Sequence, residues 1–229
     1  MLFRSLEWLD REGFAIANRP ALQAQLAVRC ERANRGDWRE AVERWLGALL
    51  ETRLPSLGAP LSELRGRLPE MEFWMPAAHL HAGVVDTLCR RHLLGDQPRP
   101  ALASRQLNGM LMGFADLVFE HQGRFWVLDY KTNQVGRDGA AYDRAALESE
   151  MARHRYDVQA ALYLLALHRL LRSRLGAVYQ PTHHLGGALY WFVRGIDGPV
   201  QGEYVMPANA QVLALLDALD GLLQAEVSP

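Results

Sequence analysis

The sequence predicts a mixed α/β domain, and three observations carry that expectation. Helical and strand-like periodicities alternate along the chain, two apolar strand segments flank a Gln-Gly turn, and no apolar run is long enough to cross a membrane. The chain has 229 residues, 49% of them hydrophobic, with 25 Lys+Arg against 26 Asp+Glu and a net charge of −1. That length reads as a single domain, able to bury roughly 70–75% of the surface its unfolded chain exposes.

Residues 1–56 read as a helical lead-in, with helices over 3–14, 21–34 and 37–52. Asp37 is the expected N-cap of the third, because Glu40 follows three residues later. A breaker-rich stretch at 55–60 separates the lead-in from a core expected over 68–229. Residues 70–76, Glu-Met-Glu-Phe-Trp-Met-Pro, alternate polar and apolar, which predicts a strand ended by Pro76 with Glu70 and Glu72 on one face. A helix near 84–94 comes next, then a link carrying Pro98 and Pro100, then strands over 107–120 and 124–131. Helices over 141–152 and 155–175, a strand over 187–194 and a last helix over 209–225 complete the order.

Composition excludes several function classes. Cys30 and Cys89 lack the second pair of cysteines that a zinc site or an iron–sulfur cluster needs, and they read as inert thiols in a reducing compartment. The longest apolar run, residues 160–167, falls far below the ~20 residues of a membrane span, and the N-terminus reads as an amphipathic helix rather than a signal peptide. A cytoplasmic protein is expected. Near-zero net charge argues against a broadly basic nucleic-acid coat while leaving room for a local basic groove. There is no internal repeat, no phosphate-binding glycine loop, and no arrangement for a serine nucleophile or a glycosidase carboxylate pair.

The positive charge is almost wholly guanidinium: 24 arginines and one lysine, Lys131. That lysine sits in the segment that holds the chemistry. A two-residue turn at Gln122-Gly123 pairs His121 with Arg124, and the register then sets Asp116 opposite Asp129 and Phe114 opposite Lys131. Opposed residues share a face, so Asp116, Asp129 and Lys131 are expected on one side and Tyr130 on the other. Two carboxylates so close among Phe114, Val118, Phe125 and Val127 either share a proton or hold a cation. Oxygen ligands suit a hard divalent ion, Mg²⁺ or Mn²⁺. The competing reading is a buried ion pair between Lys131 and one aspartate beside an ordinary hairpin turn.

Three blocks taken in order carry a resemblance: Gly109-Met-Leu-Met-Gly-Phe-Ala-Asp116-Leu-Val-Phe, Leu128-Asp129-Tyr130-Lys131-Thr-Asn133, and His154-Arg-Tyr-Asp-Val-Gln159-Ala-Ala-Leu-Tyr163-Leu-Leu-Ala-Leu-His168-Arg. Glu70-Met-Glu-Phe upstream and His183-His-Leu-Gly-Gly-Ala-Leu-Tyr-Trp-Phe-Val-Arg194-Gly downstream add to it. Together they resemble the PD-(D/E)XK nuclease superfamily, and within it the C-terminal nuclease domain of the RecB family, the beta subunits of exodeoxyribonuclease V. The resemblance is strong over 107–197, recognisable at 70–76 and loose before that.

It implies a restriction-endonuclease-like fold, a mixed sheet flanked by helices, and Mg²⁺-dependent cleavage of DNA phosphodiesters, with Mn²⁺ as a substitute ion. Asp116 and Asp129 would ligate the metal with the backbone carbonyl of Tyr130. Glu70 would complete the ligand set or hold its water, with Glu72 as second choice. Lys131 would orient the attacking water, and Gln159 and Tyr163 would approach the site or the DNA strand. The implied partners are DNA, RecC-like and RecD-like subunits and an upstream helicase region, with no membrane. Since the helicase is not in this sequence, a fragment, an isolated domain or a truncated product is expected. One position departs from the family: a metal-binding histidine on the opening helix is replaced, Phe3 or Arg4 standing there, and the first histidine is His79. That departure motivates a second reading, a nuclease-like domain that binds DNA or a partner subunit without cleaving.

His79-x-His81, His183-His184 and Cys89-x-x-His92 each lack a third and fourth ligand, so they are read as ordinary histidines. The arginines at 153, 155, 169, 172 and 174 suit phosphate tracking and a solvated helix face about equally.

Overall fold

The computed structural model describes residues 8–11 and 19–225. Two helices lead in, α1 (Arg19–Arg32) and α2 (Arg39–Glu51), and residues 8–11 are helical as well. The remainder of the helix expected over 3–14 lies outside the described residues. Asp37 is not a cap. A 3-10 turn, Gly36–Trp38, is inserted before α2, so Trp38 takes the N-cap position and no side chain caps the helix.

Five strands then build one sheet in the order β1-β2-β3-β4-β5. They are β1 (Arg65–His81), β2 (Gln106–His121), β3 (Arg124–Lys131), β4 (Leu185–Phe192) and β5 (Glu203–Pro207). Neighbours are antiparallel except β3 and β4, which run parallel. The connections are helical: α3 (Ala82–His92) between β1 and β2, and α4 (Arg144–Arg153), α5 (Tyr156–Leu175) and the short α6 (Pro181–His184) between β3 and β4. The last helix is α7 (Ala210–Ala225). The mixed α/β expectation holds, and no helix among the described residues is long and apolar enough to cross a membrane.

Two strand expectations need correction. The first strand continues through Pro76 to His81. Because β1 is an edge strand, a proline there costs no ladder hydrogen bond on its open side. The short strand β5 was not expected at all; with five residues it offers little periodicity to read.

The hairpin turn behaves as anticipated. Gln122 and Gly123 both have positive φ, 52° and 77°, the pair of left-handed residues that matches the twist of a tight hairpin. The resulting ladder runs from His121↔Arg124 to Leu117↔Leu128, in the expected register. Beyond Leu117, β2 pairs with β1 alone, and Phe114 lies opposite Glu72 rather than Lys131. Here the outer half of the β1–β2 ribbon leaves the sheet, with Trp74, Met110, Met112 and Phe114 exposed along one side.

A core lies on each face of the sheet. On one face Met71, Met75, Ala115, Val118, Val127 and Tyr190 pack against α3, α4, α5 and α7. On the other, Leu117, Phe119, Leu128, Tyr130 and Trp191 pack against Leu9 and helices α1 and α2. Strict alternation would separate Ala115 from Val118, yet both face the first core, so β2 reverses its faces across Asp116. Its partner β1 does so at Glu70, which takes the left-handed φ of 49°. Such an irregularity re-aims the side chains around it.

Between α3 and β2 the chain has no regular structure, and arginines pin it. Arg99 donates to Asp157 on α5 (2.9 Å) and to the carbonyls of Leu93 and Gly95, with side chains of Arg99 and Asp157 at 1% and 0% exposure. Arg155 pairs with Asp157 and Asp86, and Arg90 reaches Asp86 and the carbonyls of Arg99 and Pro100. Arginines of the basic cluster also pair internally: Arg169 and Arg172 on α5 both clasp Asp220 on α7, and Arg153 at the end of α4 pairs with Glu150. Cys30 and Cys89 are buried free thiols, and burial pushes Cys89 up to about 12, in line with an inert role.

Asp10 is buried at 3% exposure, and neither carboxylate oxygen has a hydrogen-bond partner. Burial raises its pKa to about 7, with Arg67 pulling down and Glu70 pushing up. Between about pH 4 and pH 7 the folded chain therefore keeps this carboxyl neutral while the unfolded chain ionises it, so stability falls as pH rises through that window and levels off above it. Asp10→Asn removes the penalty. The variant is expected to be more stable than the unmutated chain at pH 8, by on the order of 2 kcal/mol, with the gain vanishing near pH 4; urea unfolding at the two pH values measures it.

Candidate active site

The sheet delivers Asp129 and Lys131 to one place because they are two apart on β3, facing α5. Both are buried, Asp129 at 4% and Lys131 at 9% exposure. Lys131 Nζ lies 2.7 Å from Asp129 Oδ2 and donates a 3.0 Å hydrogen bond to Gln159 Oε1. Gln159 Nε2 donates to the hydroxyl of Tyr163 at 2.8 Å. The four side chains form a connected run, Asp129 to Lys131 to Gln159 to Tyr163, made possible because Gln159 and Tyr163 are one helical turn apart on α5. Tyr190, on β4 next to Asp129, also donates to Gln159 Oε1 (3.2 Å), which fixes the orientation of the amide.

Asp116 approaches from the other strand. Where β2 leaves β3, the Tyr130 N–H loses its ladder acceptor, and the Asp116 carboxylate takes it at 2.8 Å. The expected face-to-face pairing of Asp116 with Asp129 is thus replaced by a side chain bridging the gap between strands. As expected, Tyr130 points to the opposite core from Asp129 and Lys131.

Burial dominates the electrostatics. It pushes the Asp129 carboxyl above the usual carboxylate range, against the pull of Lys131 and of the Tyr163 hydroxyl. Burial also raises Tyr163 and Tyr190, with the negative charge of Asp129 and Asp116 adding to it, so both phenols stay protonated donors.

Of the upstream acids, Glu70 falls across from Asp116, between the pairs Pro69↔Leu117 and Met71↔Ala115. Glu70 forms an ion pair with Arg11, and Glu72 is exposed, accepting from the Trp74 indole N–H at 3.0 Å. Among the described residues no three His, Cys, Asp or Glu side chains converge as a metal cage. The oxygen donors available are the carboxylates of Asp116 and Asp129 and the Tyr130 carbonyl. Such a set fits a hard divalent ion that keeps several waters and takes substrate phosphate oxygens.

Residues not anticipated from the sequence frame the lysine. The Tyr156 ring centroid lies 3.8 Å from Lys131 Nζ. Its hydroxyl donates to Asn133 Oδ1 (3.2 Å), Asn133 Nδ2 donates to the buried Glu150 (2.9 Å), and Glu150 also holds Arg153 and His154. A signal for Tyr156 exists in the sequence, since 156, 159 and 163 follow the i, i+3, i+7 spacing of one helical stripe.

A profile of the PD-(D/E)XK nuclease superfamily matches residues 12–226. The chain is 44% identical over 187 residues to the RecBCD enzyme subunit RecB of Escherichia coli (strain K12), covering 80% of this chain and 16% of that protein. It is 34% identical to the RecB subunit of Haemophilus influenzae, with 79% and 15% covered. The RecB subunit of Mycobacterium tuberculosis is 38% identical, with 71% and 17% covered. This chain therefore spans about one sixth of the length of these curated relatives.

The Asp116 bridge can be tested apart from any activity. Asp116→Asn retains an oxygen for the Tyr130 amide and should stay within about 1 kcal/mol of the unmutated chain in urea unfolding, whereas Asp116→Leu orphans that amide and should lose about 1–3 kcal/mol. Amide hydrogen exchange at Tyr130 should accelerate in the leucine variant only.

Proposed function

Because the chain belongs to the PD-(D/E)XK nuclease superfamily, we propose that it is a Mg²⁺-dependent DNA nuclease, the exonuclease module of a RecBCD-type helicase–nuclease that degrades DNA and serves double-strand break repair in the cytoplasm. One observation carries this reading: Asp129 and Lys131 from β3 meet Gln159 and Tyr163 from α5 in one connected run of polar contacts, with Asp116 bonded to the intervening residue of β3. RecC-like and RecD-like subunits and a helicase region preceding this segment are the corresponding partners, by likeness to the RecB relatives.

In this mechanism Asp116, Asp129 and the Tyr130 carbonyl hold the divalent ion. When bound, the ion supplies Lewis acidity that makes water a better nucleophile and offsets phosphate charge. Lys131 orients the attacking water and stabilises the charge that grows on the phosphate oxygens. Gln159 and Tyr163 keep the ammonium and the carboxylate in register before substrate arrives, so little reorganisation remains at the moment of reaction. Glu70 would join the ligand set only if its carboxylate left Arg11. A compact ammonium suits the role of Lys131 better than a planar guanidinium does.

The engagement of Glu70 with Arg11 also favours the second reading, a domain that binds DNA or a partner subunit without cleaving. One set of assays separates the two. The chain is incubated with linear single- and double-stranded DNA and Mg²⁺ or Mn²⁺, alongside Asp129→Ala and Lys131→Arg. Cleavage is expected from the unmutated chain, with at least roughly 100-fold loss in both variants while their circular dichroism stays native. A folded chain that neither cuts DNA nor binds Mg²⁺ or Ca²⁺ in isothermal titration would decide for the second reading.

A further inference from the structure

The ammonium of Lys131 has three protons, and two are accounted for by Asp129 and Gln159. What lies against the rest of the group is aromatic: the Tyr156 ring at 3.8 Å and the Tyr190 ring at 5.2 Å from Nζ. We propose that Tyr156 is the positioning residue for this lysine, holding the charge through the face of its ring; the proposal rests on the nuclease reading for its catalytic consequence.

A ring face attracts a cation without accepting a directed hydrogen bond along one line. It therefore holds Nζ in place while leaving its third N–H able to swing toward a phosphate oxygen or a water. A carboxylate in the same position would capture that proton, and an alkyl side chain would desolvate the charge with no compensation.

Tyr156 is itself fixed from three sides. Its ring stacks on His154 (5.2 Å between centroids, 18° between planes) and on Tyr190 (5.7 Å, 22°). Its hydroxyl is tied through Asn133 to Glu150. The backbone places it as the first residue of α5, one turn ahead of Gln159, so one helix presents both the ring and the amide to the same ammonium.

Lys131 is the only lysine in the chain, which makes a direct test available. In this 229-residue chain carrying ¹³C,¹⁵N-lysine, a single lysine side chain is observed by NMR. Its ε-methylene protons are expected to be displaced upfield by the ring current of Tyr156. Tyr156→Phe, which keeps the ring and loses the hydroxyl, should retain the displacement, and Tyr156→Leu should return the signal toward that of a free lysine. With linear DNA and Mg²⁺, Tyr156→Leu should lower kcat roughly 3- to 30-fold with KM little changed, and Tyr156→Phe should keep most of the rate. If the leucine variant does not fold, fluorinated phenylalanines at position 156 preserve the shape while draining the ring face, and the rate should fall with each added fluorine.

An undisplaced lysine signal in the unmutated chain, full activity in Tyr156→Leu, or rates indifferent to fluorination would overturn the proposal. An unmutated chain that cuts no DNA would instead remove the nuclease reading, and the NMR comparison would still decide whether the ring holds the ammonium.

Discussion

Where β2 departs from β3, the Tyr130 amide would be left in the protein interior without an acceptor, and the Asp116 carboxylate supplies one. Much else depends on that hydrogen bond. It lets β2 stay paired with β1 along its length while shedding β3 at Leu117, without an orphaned backbone group at the junction. Since the faces of β2 reverse at the same residue, the point where β3 is lost is also where side chains are redistributed between the two cores. Asp116 thus joins structure and chemistry: the carboxylate that stitches the split also brings negative charge beside the one segment where β3 carries Asp129 and Lys131.

The buried charges on β3 require compensation of a particular kind. An aspartate and a lysine removed from water gain from each other, but neither is satisfied by a single contact. Helix α5 provides the remainder, with an amide that accepts from Lys131 and in turn donates to the Tyr163 phenol. Neutral groups do this without adding a competing charge. The site is in this sense assembled before any ligand is present, by a strand that contributes the ions and a helix that contributes the dipoles.

The hairpin was legible in the sequence because a Gln-Gly turn between two apolar runs allows one register, and that register fixed which side chains of β3 face together. The point at which β2 parts from β3 was not, since no residue type marks it: Asp116 looks like any polar residue in an alternating strand until the ladder to β3 is seen to stop. Pro76 misled for a related reason. Proline ends a central strand but not an edge strand, and edge position is a property of the whole sheet. Asp37 had the spacing of a cap, yet a 3-10 turn placed it one residue too early. The upstream acids illustrate the limit of alternation as a guide, because the left-handed Glu70 no longer follows the face of Glu72. Gln159 and Tyr163 were found through family likeness, whereas Tyr156, on the same helical stripe, was assigned no role.

The arginines buried between α3 and α5 bear on where this chain can be opened. A stretch without regular structure that links two elements is ordinarily the first place to accept a protease nick, an inserted peptide or a new pair of termini. Here Arg90, Arg99 and Arg155 tie the carbonyls of Leu93, Gly95, Arg99 and Pro100 to two buried aspartates, so the first part of that stretch is pinned to the fold. The tolerant breakpoint shifts instead to the exposed Gln122-Gly123 tip of the hairpin. Fusion, permutation or splitting of the domain is better planned around that tip than around the connector with the looser appearance.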